Sequence, residues 1–201
     1  MTILIILLTI VISTIVFRHQ KLMYRFQFNA YQILKRRQFF RLFTHAFLHA
    51  SWEHLGINMM VLYFFGTALE QHLLIHFGSA TITIYLLLYF SSIIISSLPD
   101  LRKHRNNYYY NAVGASGAVS AIVYATIFFA PLQKIYFFFI IPIPGILFAV
   151  LYLYYSYYMS KKNTDHIGHS AHFWGALFGF LFPLLIKPKL FSLFLHQLLN
   201  F

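Results

Sequence analysis

The chain has no cysteine among its 201 residues, which excludes disulfides, a thiol nucleophile and cysteine-ligated clusters. Acids are nearly missing as well: four Asp and Glu stand against fifteen Lys and Arg. Charged residues make up 9% of the chain where a soluble domain carries about a quarter, so a water-facing surface cannot be assembled from this set. What fills the chain instead is 60% hydrophobic residues, a third of them aromatic. A net charge of +11 would suit nucleic acid, but the basic residues lie between long apolar runs and form no patch over a folded core. They read as membrane-interface anchors, so the expected partner is the lipid bilayer, with no nucleic acid.

A hydrocarbon layer takes about 20 apolar residues to cross as helix. Six segments qualify: 2–17, 52–69, 78–98, 112–130, 143–159 and 167–186, with 190–201 too short to cross and expected along the interface. The first lacks a basic leader and a small-residue cleavage site, so it reads as a retained helix. Between the spans lie a long basic connection at 18–41, a polar turn region at 99–110 and a short polar loop at 161–165. Pro142, Pro144 and Gly145 interrupt helical continuity, which makes 131–145 an interfacial approach to the fifth span. Backbone polar groups must be satisfied inside lipid, so the fold class is an all-α membrane protein, one polytopic bundle of six transmembrane helices forming a single domain over 1–201. The connections after spans one, three and five hold twelve Lys and Arg, and the other side only Lys134, Lys187 and Lys189. That bias alone puts the first loop in the cytoplasm.

Polar residues inside spans are costly and are functional candidates for that reason. Gly114-Ala115-Ser116-Gly117 opens span four, where small residues leave the serine hydroxyl uncovered and a helix N-terminus offers free N–H groups. On span six, His172, Gly175 and Gly179 share one helical face. A Gly-x-x-x-Gly seam there suits close packing against Gly117, Ala121 and Ala125, which would bring His172 to Ser116. Serine needs an adjacent base, and imidazole suits that task. His54 and Asn58, four residues apart on span two, are a third cluster with donors on one face. Taken singly, each cluster is equally compatible with ordinary interhelical packing or hydrogen bonding.

In this order and spacing the motifs resemble the rhomboid family of intramembrane serine proteases, of the six-helix bacterial type, over nearly the whole chain. Gly114 to Gly117 is similar to the family's Gly-x-Ser-Gly, which implies Ser116 as nucleophile. Ala171 to Gly179 is similar to Ala-His-x-x-Gly-x-x-x-Gly, which implies His172 as general base. His54 to Asn58 is similar to His-x-x-x-Asn, which implies oxyanion donors. Residues 40–49 resemble the first-loop pattern, with Phe40-Arg41 where the family has Trp-Arg, and Gly66 to Glu70 resembles the structural feature ending the second helix. The resemblance implies a serine endopeptidase with a Ser–His dyad, transmembrane protein substrates, and no cofactor or metal. It also implies an integral membrane protein, expected in the bacterial cytoplasmic (inner) membrane, whose active site opens outside the cytoplasm, against the charge bias.

Two features depart from the pattern or compete with it. Many rhomboids carry an aromatic residue four positions after the nucleophile, stacked on the histidine, and here Ser120 stands there. Ser120 as a hydrogen-bonding group, Trp174 and Tyr124 are the alternatives for orienting His172. His45-x-x-x-His49 and the run His166, His169, His172 resemble the histidine boxes of membrane metal enzymes, although the full set of boxes is missing and four acids leave few carboxylate ligands. His169 reads as a polar interface residue and Asp165 as a loop residue. A non-cleaving binder of transmembrane segments is the other alternative, though such a relative would be expected to have lost Ser116 or His172.

Overall fold

The computed structural model describes residues 1–137, 140–162 and 167–199. Helix α1 (Thr2–Arg18) leads into a first loop built from three short helices, α2 (Gln20–Phe26), α3 (Ala30–Lys35) and α4 (Arg41–Thr44). Long helices follow: α5 (Trp52–Phe77), α6 (Thr81–Lys103) and α7 (Ser116–Phe129). Next come a two-stranded antiparallel hairpin of β1 (Lys134–Phe137) and β2 (Ile141–Pro144), then α8 (Gly145–Lys162), α9 (His169–Ile186) and α10 (Leu190–Leu199). The protein is mostly helical. Among the described residues, two stretches are each long and apolar enough to cross a membrane by composition: Trp52–Lys103, where two helices run on, and His169–Ile186. Helices α1 and α7 are shorter, and α8 is diluted by five tyrosines.

Helix α7 is the axis of the bundle. From Gly117 to Phe129 every residue is buried, because α5, α6 and α9 enclose it and α8 covers the remaining side more thinly. The tightest pairing is α7 with α9. A Cβ on Gly175 would run into the backbone carbonyl of Gly117, and one on Gly179 into that of Ala121. Both partners advance by four residues, so the two helices run parallel and in register, backbone against backbone.

Several boundaries differ from the sequence reading. Helix α5 continues past residue 69 to Phe77, with His72 and His76 stacked on Phe129 at 5.7 and 5.1 Å. Pro99 does not start a turn region but lies inside the last turns of α6, where a missing N–H costs one hydrogen bond at most. Residues 112–115 precede the helix rather than opening it, since Ala112 pairs with Phe28, Gly114 has φ 126°, a conformation outside the helical region, and Ala115 is the N-cap. The stretch expected as an interfacial approach is the hairpin, with Ile135 opposite Ile143 and Tyr136 opposite Pro142. Two prolines spaced by one residue fix extended backbone angles, and as an edge strand β2 loses little by lacking their N–H groups. Asp165 and His166 lie outside the described residues, as do Asn200 and Phe201 of the tail; Leu190–Leu199 is helical.

The first loop is a folded unit. Arg41, buried among mostly exposed basic residues, donates to Gln38 Oε1 (2.7 Å), Gln32 Oε1 (2.8 Å) and the carbonyls of Tyr24 (2.9 Å) and Gln27 (2.7 Å). One guanidinium thereby fixes α2, α3 and α4 together, a geometry that a lysine could not reproduce. Asn29 caps α3 and also donates to the carbonyls of Tyr108 (2.7 Å) and Tyr110 (3.2 Å), which ties this loop to residues 104–115. At the opposite end, Glu70 accepts the Thr2 N–H (2.5 Å) and Thr2 Oγ1 meets the Tyr85 hydroxyl (2.8 Å). Gly66 lies beneath, where a Cβ would sit 2.6 Å from that hydroxyl, so α1, α5 and α6 converge on a glycine.

Candidate active site

Ser116 is the first residue of α7, and no side chain caps that N-terminus. Its leading N–H groups are therefore available to an incoming acceptor. The backbone before it is held from both sides. Phe28 and Ala112 exchange N–H···O bonds of 2.9 and 3.1 Å, and Gly114 N–H donates to the His45 carbonyl at 3.0 Å. Gly114 has no room for a side chain: a Cβ there would lie 2.7 Å from His54 Cε1 and 3.0 Å from Nε2. The His54 ring thus faces the strand that delivers Ser116.

His172 sits in the first turn of α9, one turn before Gly175, and the seam between Gly175 and Gly117 brings its end of α9 to the end of α7 that carries Ser116. Both side chains line one cavity of about 1600 Å³, together with His54, Asn58 and Tyr152. Asn58 is buried, and its amide nitrogen donates to the His54 carbonyl of its own helix at 2.8 Å, leaving a second N–H. The cavity extends along α7 from Ser116 to the hairpin, where Gln133 and Lys134 border it, and lies between α5 and α8, which hardly touch each other.

Tyr152 on α8 is the residue that sequence reasoning missed. Its hydroxyl lies 3.1 Å from His172 Nδ1, and its ring stacks on the imidazole at 6.2 Å and 22°. Ser120 neighbours the Tyr152 hydroxyl. Trp174 points outward at 41% exposure, and Tyr124 donates to the Ala149 carbonyl. The small side chain at 120 was the signal: it leaves space over the histidine that an aromatic from another helix fills. One tyrosine among five on α8 cannot be picked out by spacing alone.

Two histidines of the first loop, His45 and His49, are buried, and His45 lines the same cavity. Burial pushes His45 down to about 4 and His49 down to about 3, the latter with help from neighbouring His54, so both are neutral near pH 7. His49 Nδ1 lies 3.0 Å from Ser13 Oγ, and its ring meets His54 edge-on at 5.0 Å. His169 is buried rather than interfacial, against Tyr155 and His172. Among the described residues, no three His, Asp or Glu converge as a ligand set.

Comparison with known proteins agrees with the geometry. The chain is 30% identical over 176 residues to RHOMBOID-like protein 12, mitochondrial, of Arabidopsis thaliana, an overlap covering 80% of this chain and 50% of that one. The chain therefore spans about half the length of that relative. The relative's name places it in mitochondria, so it lends nothing to the expectation of a bacterial inner membrane; what stands is a membrane protein. Residues 36–189 match the Rhomboid domain, from the end of the first loop through α9. With more than half of its length in that match, the chain belongs to the rhomboid family, whose members are generally serine proteases.

Proposed function

We propose that this chain is a serine endopeptidase of the membrane, hydrolysing peptide bonds in or near transmembrane segments of other proteins, with α1 and α5 through α9 crossing the bilayer. The observation that carries this reading is the parallel seam of α7 and α9, which puts Ser116 and His172 on one cavity lying between α5 and α8. A hydrolytic site inside a bilayer must admit both a lipid-borne helix and water. The cavity suits both, being apolar along α5 and polar around the serine.

In this mechanism His172 Nδ1–H donates a hydrogen bond to the Tyr152 hydroxyl oxygen, which leaves Nε2 as the base. Nε2 takes the proton of Ser116 Oγ as that oxygen attacks the scissile carbonyl. The tetrahedral oxyanion is received by N–H groups at the N-terminus of α7, with His54 and the second N–H of Asn58 as side-chain donors. His172 then returns the proton to the leaving amine, and water resolves the acyl-enzyme along the same path. Preferred substrates carry small or helix-destabilising residues, since a helical peptide bond is shielded from attack. The cleft between α5 and α8 is the lateral route.

The test is covalent labelling of purified protein by a fluorophosphonate, comparing wild type with Ser116→Ala and His172→Ala. Labelling of wild type that is lost in both variants is the expected result. A folded wild type that does not label, or labelling that persists in Ser116→Ala, would remove the assignment. Sensitivity of turnover to a chelator would instead favour a metal enzyme.

A further inference from the structure

One wall of the cavity is polar for reasons the proposed hydrolysis does not use. It is made by the last turns of α6 and the following loop, with Ser96, Ser97, Asp100 and Tyr110, and is closed by His45 from the first loop. Ser96 reaches this wall directly behind the nucleophile: a Cβ on Gly117 would collide with its hydroxyl. Asp100 is one helical turn further toward the end of the molecule that carries the first loop, about 6 Å along the axis from Ser96.

Asp100 is 8% exposed and, among the described residues, is the one acid that borders the cavity. Its Oδ2 accepts the Tyr110 hydroxyl at 3.1 Å, and Tyr110 is fixed in turn by stacking on His104 at 3.5 Å. Among the described residues no basic side chain comes within ion-pair distance of it, although the chain has fifteen Lys and Arg. His45, equally buried and on the same cavity, has a ring nitrogen, Nε2, without a hydrogen-bond partner among the described residues. With its pKa near 4, that ring stays neutral and does not balance the carboxylate. Among the described residues the Asp100 carboxylate thus has one hydrogen-bond partner, a neutral hydroxyl, with the His104 ring near enough to interact electrostatically but outside ion-pair distance. A cation delivered into the cavity would offset the cost of burying its charge.

We propose that Asp100, with Tyr110 beside it, forms a subsite that takes a basic side chain, Lys or Arg, of the substrate polypeptide next to the bond presented to Ser116. The proposal rests on the protease reading for the identity of that polypeptide. A basic residue at the end of a transmembrane segment is also the kind that extends its charge toward the membrane surface, where this wall lies. A substrate bearing Lys at the matching position gains an ion pair in the cavity, while one bearing a carboxylate meets like charge.

The experiment uses the full chain with Ser116→Ala, so that binding is read apart from turnover. Its probes are fluorescent single-span peptides of about 25 residues, long enough to cross a bilayer. Gln or Lys is placed in turn at each residue around a central Gly-Ala pair. At one position Lys is expected to tighten binding roughly tenfold over Gln, the scale of a half-buried charge pair. Adding Asp100→Asn, which still accepts the Tyr110 hydroxyl, equalises the two peptides, and Asp100→Glu restores the preference. A flat scan, or a Lys preference that survives Asp100→Asn, overturns the subsite. Cleavage of the same peptides by the unsubstituted chain is scored separately. Selective binding without cleavage defeats the protease reading and leaves the subsite standing, and cleavage without charge selectivity does the reverse.

Discussion

The two flanks of α7 are built on opposite principles. On one side α9 lies against it through glycine, with carbonyls of α7 where side chains would otherwise be. On the other, α8 reaches it through large groups: the Tyr152 ring lies 6.4 Å from that of Tyr124, and Tyr124 of α7 donates to the Ala149 carbonyl. The glycine flank has no freedom to shift without backbone collision, so it suits the pair whose geometry must be kept. The aromatic flank is held by side-chain tips beside an open cleft, so it can part from α5 without disturbing the seam. In the proposed reading the site is placed by the rigid flank and reached through the loose one.

Adding volume separates the two flanks most sharply. Gly175→Val drives two methyl groups into Gly117 and is expected to cost at least about 3 kcal/mol or prevent folding. Ala149→Val on α8 should cost only about 1 kcal/mol. Thermal melting in detergent measures both, and comparable losses would erase the contrast.

A bridge across the open side tests the route. The chain has no cysteine, so Val61→Cys on α5 with Phe148→Cys on α8 gives one defined pair, both positions lining the cavity. Joining them with a bifunctional thiol reagent is expected to lower cleavage of a transmembrane substrate by at least about a hundredfold while sparing fluorophosphonate labelling of Ser116. Unchanged cleavage in the bridged protein would rule out passage between α5 and α8.

The aromatic contact comes next in size. Tyr152→Phe keeps the ring and removes the partner of Nδ1, so kcat should fall about tenfold with KM nearly constant and the pH profile displaced. Tyr152→Leu, losing the stack as well, should fall further. A Phe variant with native kcat and pH profile would make the contact mere packing.

The smallest effect lies in the first loop, which frames the nucleophile without touching the seam. His45 is held neutral, with its pKa near 4, while the unfolded chain takes up protons below about 6.5. Stability is therefore level above about pH 6.5 and falls as pH drops from there toward 4, by roughly 1 kcal/mol from this histidine at about pH 5.5. Melting temperatures across that window, with His45→Gln flattening part of the slope, check the sign. Rising stability on acidification would contradict it.

Much of this architecture was legible because lipid solvent leaves few choices. Scarce charge and long apolar runs dictate helices that satisfy their own backbone, and a mostly helical fold followed. The motifs at Ser116, His172 and Gly175 were legible because small residues and a histidine at helical spacing have few other uses inside a membrane. The hairpin was harder to see: its prolines announced an interruption, but pairing of Ile135 with Ile143 is a contact between strands and has no signature within either. Helix ends blurred for a related reason, since α5 runs on to Phe77 to place His72 and His76 against Phe129.

By itself, then, the sequence determined the solvent, the class of fold and the residues able to carry chemistry, because composition and periodicity are properties of the chain alone. The partners of those residues were decided by tertiary structure. That Tyr152 meets His172, and that Asp100 at the cavity wall has no ion pair among the described residues, depend on which helix faces which. Such distances between remote parts of the chain are set by packing, and no local pattern encodes them.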